Sequence, residues 1–260
     1  MARVLCFGRA GTGKSWWCGW LIERVARDFT YAIHVDLEDE EIGLSVEGGL
    51  YTTLYVDEDM FNSDTFRTSL KTVLKEHRYI RVVPEGLNEE ELTELTSRLA
   101  DVAMKIGENT DDDTGIFFSV DEAHQVAREG KLDDRLNRLA TGSRKQIVEW
   151  LFATQRPQLI DKTVLTQADY LACFEVKDRD MGKIQNSVSY PVNPANPDDF
   201  PAEDASGLDS LGKRRFMFES MDSGAYACID TNTLTRHHPH MAGDDGIANE
   251  VLDGLLEDSE

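Results

Sequence analysis

The stretch VLCFGRAGTGKSWW, residues 4–17, decides the fold. An apolar run, predicted to be a buried strand over 3–7, leads directly into a glycine-rich turn and a helix predicted over 15–27. The turn matches G-x-x-x-x-G-K-[ST] without a gap, the pattern of a loop whose backbone N–H groups cradle phosphates. The predicted cradle consists of Gly8, Arg9, Ala10, Gly11, Thr12, Gly13, Lys14 and Ser15.

Two side chains at the end of this turn have predicted chemical roles. Lys14 supplies a positive charge for the β and γ phosphates of a nucleotide, and Ser15 supplies a hydroxyl for Mg²⁺. The dipole at the start of the helix favours the same negative charge. The alternative is a glycine-rich turn that matches the pattern by chance, but the strand before it and the helix after it argue against that. We therefore expect ATP and Mg²⁺ to bind here.

The second landmark is GIFFSVDEAH, residues 115–124, in which an apolar strand ends in two carboxylates. Ligands of open α/β sheets bind outside the carboxyl ends of the strands. We expect Asp121 to hold Mg²⁺ together with Ser15, and Glu122 to polarise the attacking water as a general base. The alternative is that Asp121 and Glu122 only cap the next helix.

Length and composition limit the class of protein. The 260 residues suffice for one large domain, or for one domain with an appendage. The letters DEAH over 121–124 also occur in a class of helicases, but those enzymes need two tandem α/β domains. The chain starts on a strand and has no apolar run of 18 residues, so we expect a cytoplasmic protein with no membrane segment of its own. The scattered cysteines are predicted to be reduced core residues: Cys6, Cys18, Cys173 and Cys228.

The charge of the chain is strongly negative, with 49 acidic against 27 basic residues and a net charge of -22. Such a field opposes a nucleic-acid partner in dilute salt. At molar salt the Debye length falls to about 3 Å, which screens the repulsion. Because the acidic residues are spread along the whole chain, we favour a halophilic source. The densest basic run is either a solvated face or a DNA-facing patch: Arg67, Lys71, Lys75, Arg78 and Arg81.

Alternating strand and helix patterns predict an α/β fold, with a mostly parallel sheet and helices on both faces. Further strands are expected at 31–35, 54–56, 79–83, 115–120 and 170–174, and helices over 63–77 and from Asn88 onward. A C-terminal β-hairpin is expected from 215–220 and 225–229. We divide the chain into a core (1–190), an irregular excursion with the hairpin (191–238) and an acidic tail (239–260). Aspartates 111–113 are predicted to form a turn, and the histidines within 237–240 are weak evidence for a metal site because a fourth ligand is missing.

The third landmark is TGSRKQIVEWLFATQRP, residues 141–157, followed by DKTVLTQADYLACF, residues 161–174. With the two earlier motifs in order, residues 3–180 resemble the FtsK/HerA superfamily of ring-forming, DNA-pumping ATPases. The resemblance implies a RecA/FtsK-like P-loop NTPase core in which Gln155 is the polar sensor of the γ-phosphate or the lytic water. It also implies that Arg144 is the arginine finger given to the neighbouring subunit's nucleotide. The alternatives are that Gln155 is a buried amide paired with the backbone and that Arg144 is a solvated surface charge.

Larger members of this superfamily carry membrane helices or a small β-barrel before the P-loop strand, and here we expect neither. The chain therefore resembles the minimal genome-packaging ATPases of membrane-containing icosahedral archaeal and haloarchaeal viruses, and their relatives on plasmids and proviruses. The resemblance implies an ATP-hydrolysing homo-oligomeric ring, a hexamer, that translocates or packages double-stranded DNA. Capsid or vertex proteins would be its partners, in the host cytoplasm or at the virion vertex. The alternative is a P-loop switch or assembly factor that does not pump DNA.

Overall fold

A single sheet forms the centre of the computed structural model, which describes residues 2–46, 49–108 and 115–236. Within these residues the sheet has nine strands in the order β3-β4-β2-β5-β6-β1-β7-β8-β9. The strands are β1 (Arg3–Phe7), β2 (Tyr31–Val35), β3 (Thr52–Val56), β4 (Tyr79–Pro84), β5 (Ile116–Val120), β6 (Val148–Thr154), β7 (Tyr170–Phe174), β8 (Arg215–Ser220) and β9 (Tyr226–Asp230). Strands β1 to β7 pair in parallel, whereas β8 and β9 are antiparallel. The predicted α/β fold is confirmed.

Helices cover both faces of this sheet. They are α1 (Lys14–Val25), α2 (Glu58–Asn62), α3 (Phe66–His77), α4 (Glu89–Glu108), α5 (Asp134–Gly142), α6 (Lys162–Gln167) and α7 (Asp178–Gln185). Side chains of β1 alternate between two apolar cores, because successive residues of a strand point to opposite faces. Cys6 packs in the core that contains α1, and Leu5 packs in the core that contains α4 and α5. Burial on both faces explains why β1 reads as a continuous apolar run.

Helix α4 begins where its sequence pattern predicts. The Asn88 side chain accepts the N–H groups of Glu90 and Glu91 at 3.0 and 3.1 Å, and the Glu91 carboxylate accepts the Asn88 N–H at 2.8 Å. This reciprocal cap satisfies donors that the first helical turn leaves unpaired. The helix expected over 63–77 differs, since Asp57 caps a separate short helix α2 and extended backbone at Ser63 separates it from α3.

The predicted C-terminal hairpin is present and extends the main sheet. Strand β8 pairs with β7 on one side and with β9 on the other, both antiparallel. Phe216 of β8 stacks on Phe174 of β7 and lies against Trp17 of α1, with ring centroids 4.8 Å apart in both pairs. The division at 190/191 stays a prediction. The tail 239–260, the histidines within 237–240 and the aspartates 111–113 lie outside the described residues.

Two expectations about single residue types can be compared with the structure. All four cysteines are free thiols, and Cys6, Cys18 and Cys173 are buried, as predicted for reduced core residues. Arg81 is also buried, and its Nε donates to Asp36 at 2.8 Å. It therefore cannot belong to a DNA-facing patch.

Among the described helices, none combines the length and apolar composition that crossing a membrane requires.

Candidate nucleotide site

The loop between β1 and α1 has the conformation that a phosphate cradle needs. Gly13 has a φ of 103°, in the left-handed region that glycine adopts without strain, and it caps α1, whose first residue is Lys14. Gly8 lies so close to β7 that an added Cβ would approach the Phe174 Cβ to 2.6 Å. These two positions explain why the pattern requires glycine at its first and sixth residues.

Hydrogen bonds tie the cradle to both strands beside β1. The Gly8 N–H donates to the Thr154 carbonyl at 3.2 Å, and the Arg9 N–H donates to the Glu175 carbonyl at 3.0 Å. Within the loop, the Thr12 hydroxyl donates to the Arg9 carbonyl at 2.8 Å. The loop is therefore held in shape by the carboxyl ends of β6 and β7.

Lys14 brings the first two sequence motifs together. Its Nζ lies 2.8 Å from Asp121 Oδ1 and 3.2 Å from Glu122 Oε1, at the end of β5. The lysine side chain is only 3% exposed. Burial lowers the pKa of Lys14, but the two carboxylates outweigh burial and hold that pKa well above its ordinary value. The side chain is therefore a charged ammonium between two carboxylates.

Glu122 is fixed by contacts on several sides. Its backbone has a φ of 48°, uncommon for a residue with a Cβ. Its Oε2 accepts the Gln155 N–H at 3.3 Å and lies 3.1 Å from His124 Nδ1. Burial by itself raises the pKa of Glu122, but the hydrogen bond to His124 and the charge of Lys14 lower it to about 2. Glu122 is therefore ionised at neutral pH.

His124 was not identified from the sequence as part of the site, although it stands two residues after Glu122. Its Nδ1 also lies 3.1 Å from the Thr154 hydroxyl, which in turn accepts the Arg156 N–H at 3.0 Å. The chain of contacts connects the end of β5 with the end of β6. It positions Glu122 relative to the residues that follow β6.

A cavity of about 540 Å³ opens in front of the cradle. It is lined by Arg9, Ala10, Gly11, Gly13, Lys14, Ser15, Trp16, Glu40, Gln155, Lys213, Arg214 and Asn232. The predicted sensor Gln155 is half-buried and lies on this cavity, directly after β6. Glu40, Lys213, Arg214 and Asn232 were not expected there. Of these four residues, only Lys213 and Arg214 had a signal in the sequence, because with Arg215 they form three consecutive cations in a strongly acidic chain.

Comparison with known proteins was informative only at the level of structure. No family model matches the chain, and no curated protein matches its sequence. The genome packaging NTPase B204 from Sulfolobus turreted icosahedral virus 2 is similar in its complex with AMPPCP, with a TM-score of 0.62 at 16% identity. The complex of B204 with ATP-gammaS gives a TM-score of 0.59 at 16% identity. Both alignments cover 87% of this chain and 96% of the B204 chain. The pCW3 conjugation coupling protein TcpA, in its monomer form with ATPgS, gives 0.52 at 14% identity, over 100% of this chain and 65% of that chain.

The chain has an α/β P-loop NTPase fold like that of these structures. The P-loop NTPase fold expected from the three motifs is thus confirmed, and the structural similarity extends past residue 180 to most of the chain. This fold places the carboxyl ends of β1, β5 and β6 at one edge of the sheet, because the three strands are parallel and adjacent in the order β5-β6-β1.

The loop after β2 adds the carboxyl group of Glu40 to the cavity. The Asp36 carboxylate shapes the loop by accepting the N–H groups of Glu40 and Glu41 at 3.1 and 2.8 Å. Burial, followed by the charge of Asp121, raises the pKa of Glu40 to about 7. The cavity therefore gains a negative charge as the pH rises through neutrality.

Arg144 lies far from this cavity. It belongs to the helical turn before β6, where it forms an ion pair with Asp169, and Asp169 also accepts from Arg3 Nε at 3.1 Å. Strand β6 has seven residues and runs toward the cradle, so at about 3.3 Å per residue Arg144 is roughly 20 Å from its own nucleotide cavity. The side chain is 51% exposed. Its assignment as an arginine finger stays a prediction.

The donor atoms beside the cavity fit Mg²⁺. This cation prefers oxygen ligands and is usually bound through one or two protein groups together with substrate phosphates. Ser15, in the first turn of α1, and Asp121, which contacts Lys14, provide one hydroxyl and one carboxylate. In the described ranges no group of three or more His, Cys, Asp or Glu side chains is arranged to hold a metal ion. A metal held jointly with phosphates needs no such group.

Proposed function

We propose that the chain is an Mg²⁺-dependent ATPase that translocates or packages double-stranded DNA as a hexameric ring. The placement of Lys14 between Asp121 and Glu122, at the head of the cradle, carries the hydrolytic part of the proposal. This arrangement joins a phosphate-binding cation to an ionised carboxylate at the place where the γ-phosphate would lie. The complexes of B204 with AMPPCP and ATP-gammaS support nucleotide binding by the same fold.

The contacts of Lys14 suggest how nucleotide binding activates Glu122. Phosphates entering the cradle compete with the two carboxylates for the Lys14 ammonium. Once phosphate shares that charge, Lys14 lowers the pKa of Glu122 less. Burial then raises this pKa, and the hydrogen bond from His124 is the main effect that still lowers it. Glu122 then becomes a better proton acceptor for the attacking water only when substrate is present.

The remaining site residues have supporting roles in this proposal. Ser15 and Asp121 would hold Mg²⁺, which neutralises charge on the phosphates. Gln155 lies on the cavity while its N–H holds the Glu122 carboxylate, so we assign its side chain to sensing the γ-phosphate or the lytic water. Each of these residues follows the carboxyl end of a strand or begins α1, which is why they converge.

A neighbouring subunit would complete the site. An arginine finger stabilises charge on the transferred phosphoryl group and accelerates hydrolysis by about 10³ to 10⁵. Arg144 is half-exposed at the edge of the sheet opposite its own cavity, so it is better placed to serve the next subunit of a ring than its own. The planar guanidinium suits the task, since it stays charged and can contact two oxygens at once.

The proposal that the chain acts on DNA rests on the proteins that share its fold. B204 is described as a DNA-packaging ATPase, and TcpA as a conjugation coupling protein. Capsid or vertex proteins, in the host cytoplasm or at the virion vertex, are the further partners that we propose. Because the chain carries a net charge of -22, contact with DNA is expected in strong salt, as in a halophilic host.

Stimulation of hydrolysis by DNA tests this proposal. ATP turnover is measured as phosphate release in molar KCl, with and without linear duplex DNA, and with single-stranded DNA for comparison. A motor predicts stimulation several-fold by the duplex, and Lys14→Ala should abolish turnover in every condition. Turnover that is unaffected by duplex DNA would instead identify the alternative, a P-loop switch or assembly factor.

A further inference from the structure

Two consecutive cations, Lys213 and Arg214, end the irregular segment before β8 and lie on the nucleotide cavity. Neither forms an ion pair with another residue in the described part of the chain. In a chain with 49 acidic and 27 basic residues, carboxylates that could pair with them are abundant. Their position at the cavity therefore calls for a function.

The backbone of Arg214 is clamped against the cradle. Its N–H donates to the Thr12 carbonyl at 2.7 Å, and its own carbonyl accepts the Thr231 N–H at 2.7 Å and the Thr231 hydroxyl at 2.9 Å. Its φ of 64° lies in the left-handed region, so these contacts hold a conformation that an arginine seldom adopts. The side chain then lies over Trp16, with the guanidinium carbon 4.9 Å from the ring centroid.

Trp16 marks the side of the cavity opposite the carboxylates. Lys14 and Trp16 are two residues apart in the first turn of α1, so their side chains leave the helix about 200° apart. Lys14 points toward Asp121 and Glu122, where the γ-phosphate would lie. The opposite side, formed by Trp16 and Arg214, is therefore the side on which the base of a bound nucleotide would lie.

We propose that the Arg214 guanidinium, supported by the indole of Trp16, is the platform on which the base of the nucleotide stacks. This inference rests on the nucleotide binding proposed above and specifies the part of the ligand that Arg214 recognises. A guanidinium is planar and stacks on aromatic faces, and a nucleobase offers such a face. Asn232, in the helical turn that follows β9, also lines this cavity. The irregular segment and the hairpin thus complete the nucleotide site.

The test compares three ligands by titration calorimetry: ATP, ADP and inorganic tripolyphosphate, which has the phosphates but no base. Arg214→Ala should weaken the binding of ATP and of ADP by the same factor, about 5- to 150-fold, since stacking on one base is worth about 1–3 kcal/mol. Tripolyphosphate affinity should change by less than about twofold, because the base contact is absent. An equal loss for tripolyphosphate, or unchanged ATP affinity, would overturn the assignment.

A matched control is available on the same helix. Arg24 lies over Trp20 at 4.8 Å in the same kind of contact but outside the cavity, so Arg24→Ala should leave all three affinities unchanged. If Arg214→Ala does not fold, Arg214→Lys is the second variant, because it keeps the positive charge and the aliphatic part of the side chain but removes the planar guanidinium. ATP should still bind more weakly to Arg214→Lys than to wild type. Wild-type affinity for ATP in that variant would overturn the inference. Wild-type protein that binds neither ATP nor tripolyphosphate would contradict the proposed nucleotide binding instead.

Discussion

Replacing Glu122 by glutamine removes one negative charge without changing the size of the side chain. The amide oxygen can still accept the Gln155 N–H, which Glu122 accepts at 3.3 Å. Asp121 remains 2.8 Å from Lys14 Nζ, so the cradle keeps a carboxylate beside its lysine and its predicted Mg²⁺ ligand. Affinity for ATP should therefore stay within about threefold of wild type, whereas turnover depends on the lost charge.

The magnitude follows from the environment of the carboxylate. The pKa of Glu122 is about 2, against an ordinary value of 4.5, a difference that corresponds to about 3 kcal/mol in favour of the charged form. Because the pKa is depressed in the folded protein, this stabilisation is present above pH 4.5 and is lost as the pH falls toward 2. Loss of a positioned general base typically lowers turnover by about 10² to 10⁴.

Two measurements on Glu122→Gln test this reasoning: turnover by phosphate release, and ATP affinity by calorimetry. Glu38→Gln is the matched control, since Glu38 is a nearby carboxylate on the loop after β2 that is bonded to Gln125 at 2.8 Å. The control should retain wild-type turnover. Wild-type turnover in Glu122→Gln, or loss of ATP binding together with turnover, would refute the role of Glu122 in activating water.

Three further predictions concern charge. Glu40, with a pKa of about 7, becomes negative as the pH rises, so Glu40→Gln should bind ATP more tightly than wild type at about pH 8 and equally at about pH 6; a pH-independent ratio in calorimetry would contradict this. Arg144→Ala should bind ATP and assemble normally but hydrolyse at least about 10³-fold more slowly. Mixing it with Glu122→Gln subunits should restore part of the activity in a phosphate-release assay, and no recovery would argue against a shared site. The melting temperature should rise from low to molar KCl, because salt screens the repulsion within a chain of net charge -22; a flat or falling series would exclude the saline adaptation.

The sequence alone determined the features that depend on neighbouring residues in the chain. The strand, turn and helix of the cradle, the carboxylates at the end of β5 and the reciprocal cap of α4 all follow from local backbone geometry. Parallel strands bring their carboxyl ends to one edge, so Asp121 was expected beside the cradle as a Mg²⁺ ligand together with Ser15; the ion pairs of Lys14 with Asp121 and Glu122 came from the structure. Local geometry and the parallel arrangement were sufficient for these features.

Only the tertiary structure decided which charges are buried and which line the cavity. In the sequence, Arg81 belongs to the same basic run as Arg67 and Lys71, and nothing there marks it as buried. In the structure, β4 pairs with β2, and this pairing brings Arg81 against Asp36. Lys213 and Arg214 lie about 200 residues after the P-loop in the sequence. They reach the cradle because β8, which follows them, pairs with β7 in the main sheet. Whether a charged side chain is buried, and with which residue it pairs, depends on packing between distant segments of the chain. The residues next to it in the sequence therefore do not reveal its partner.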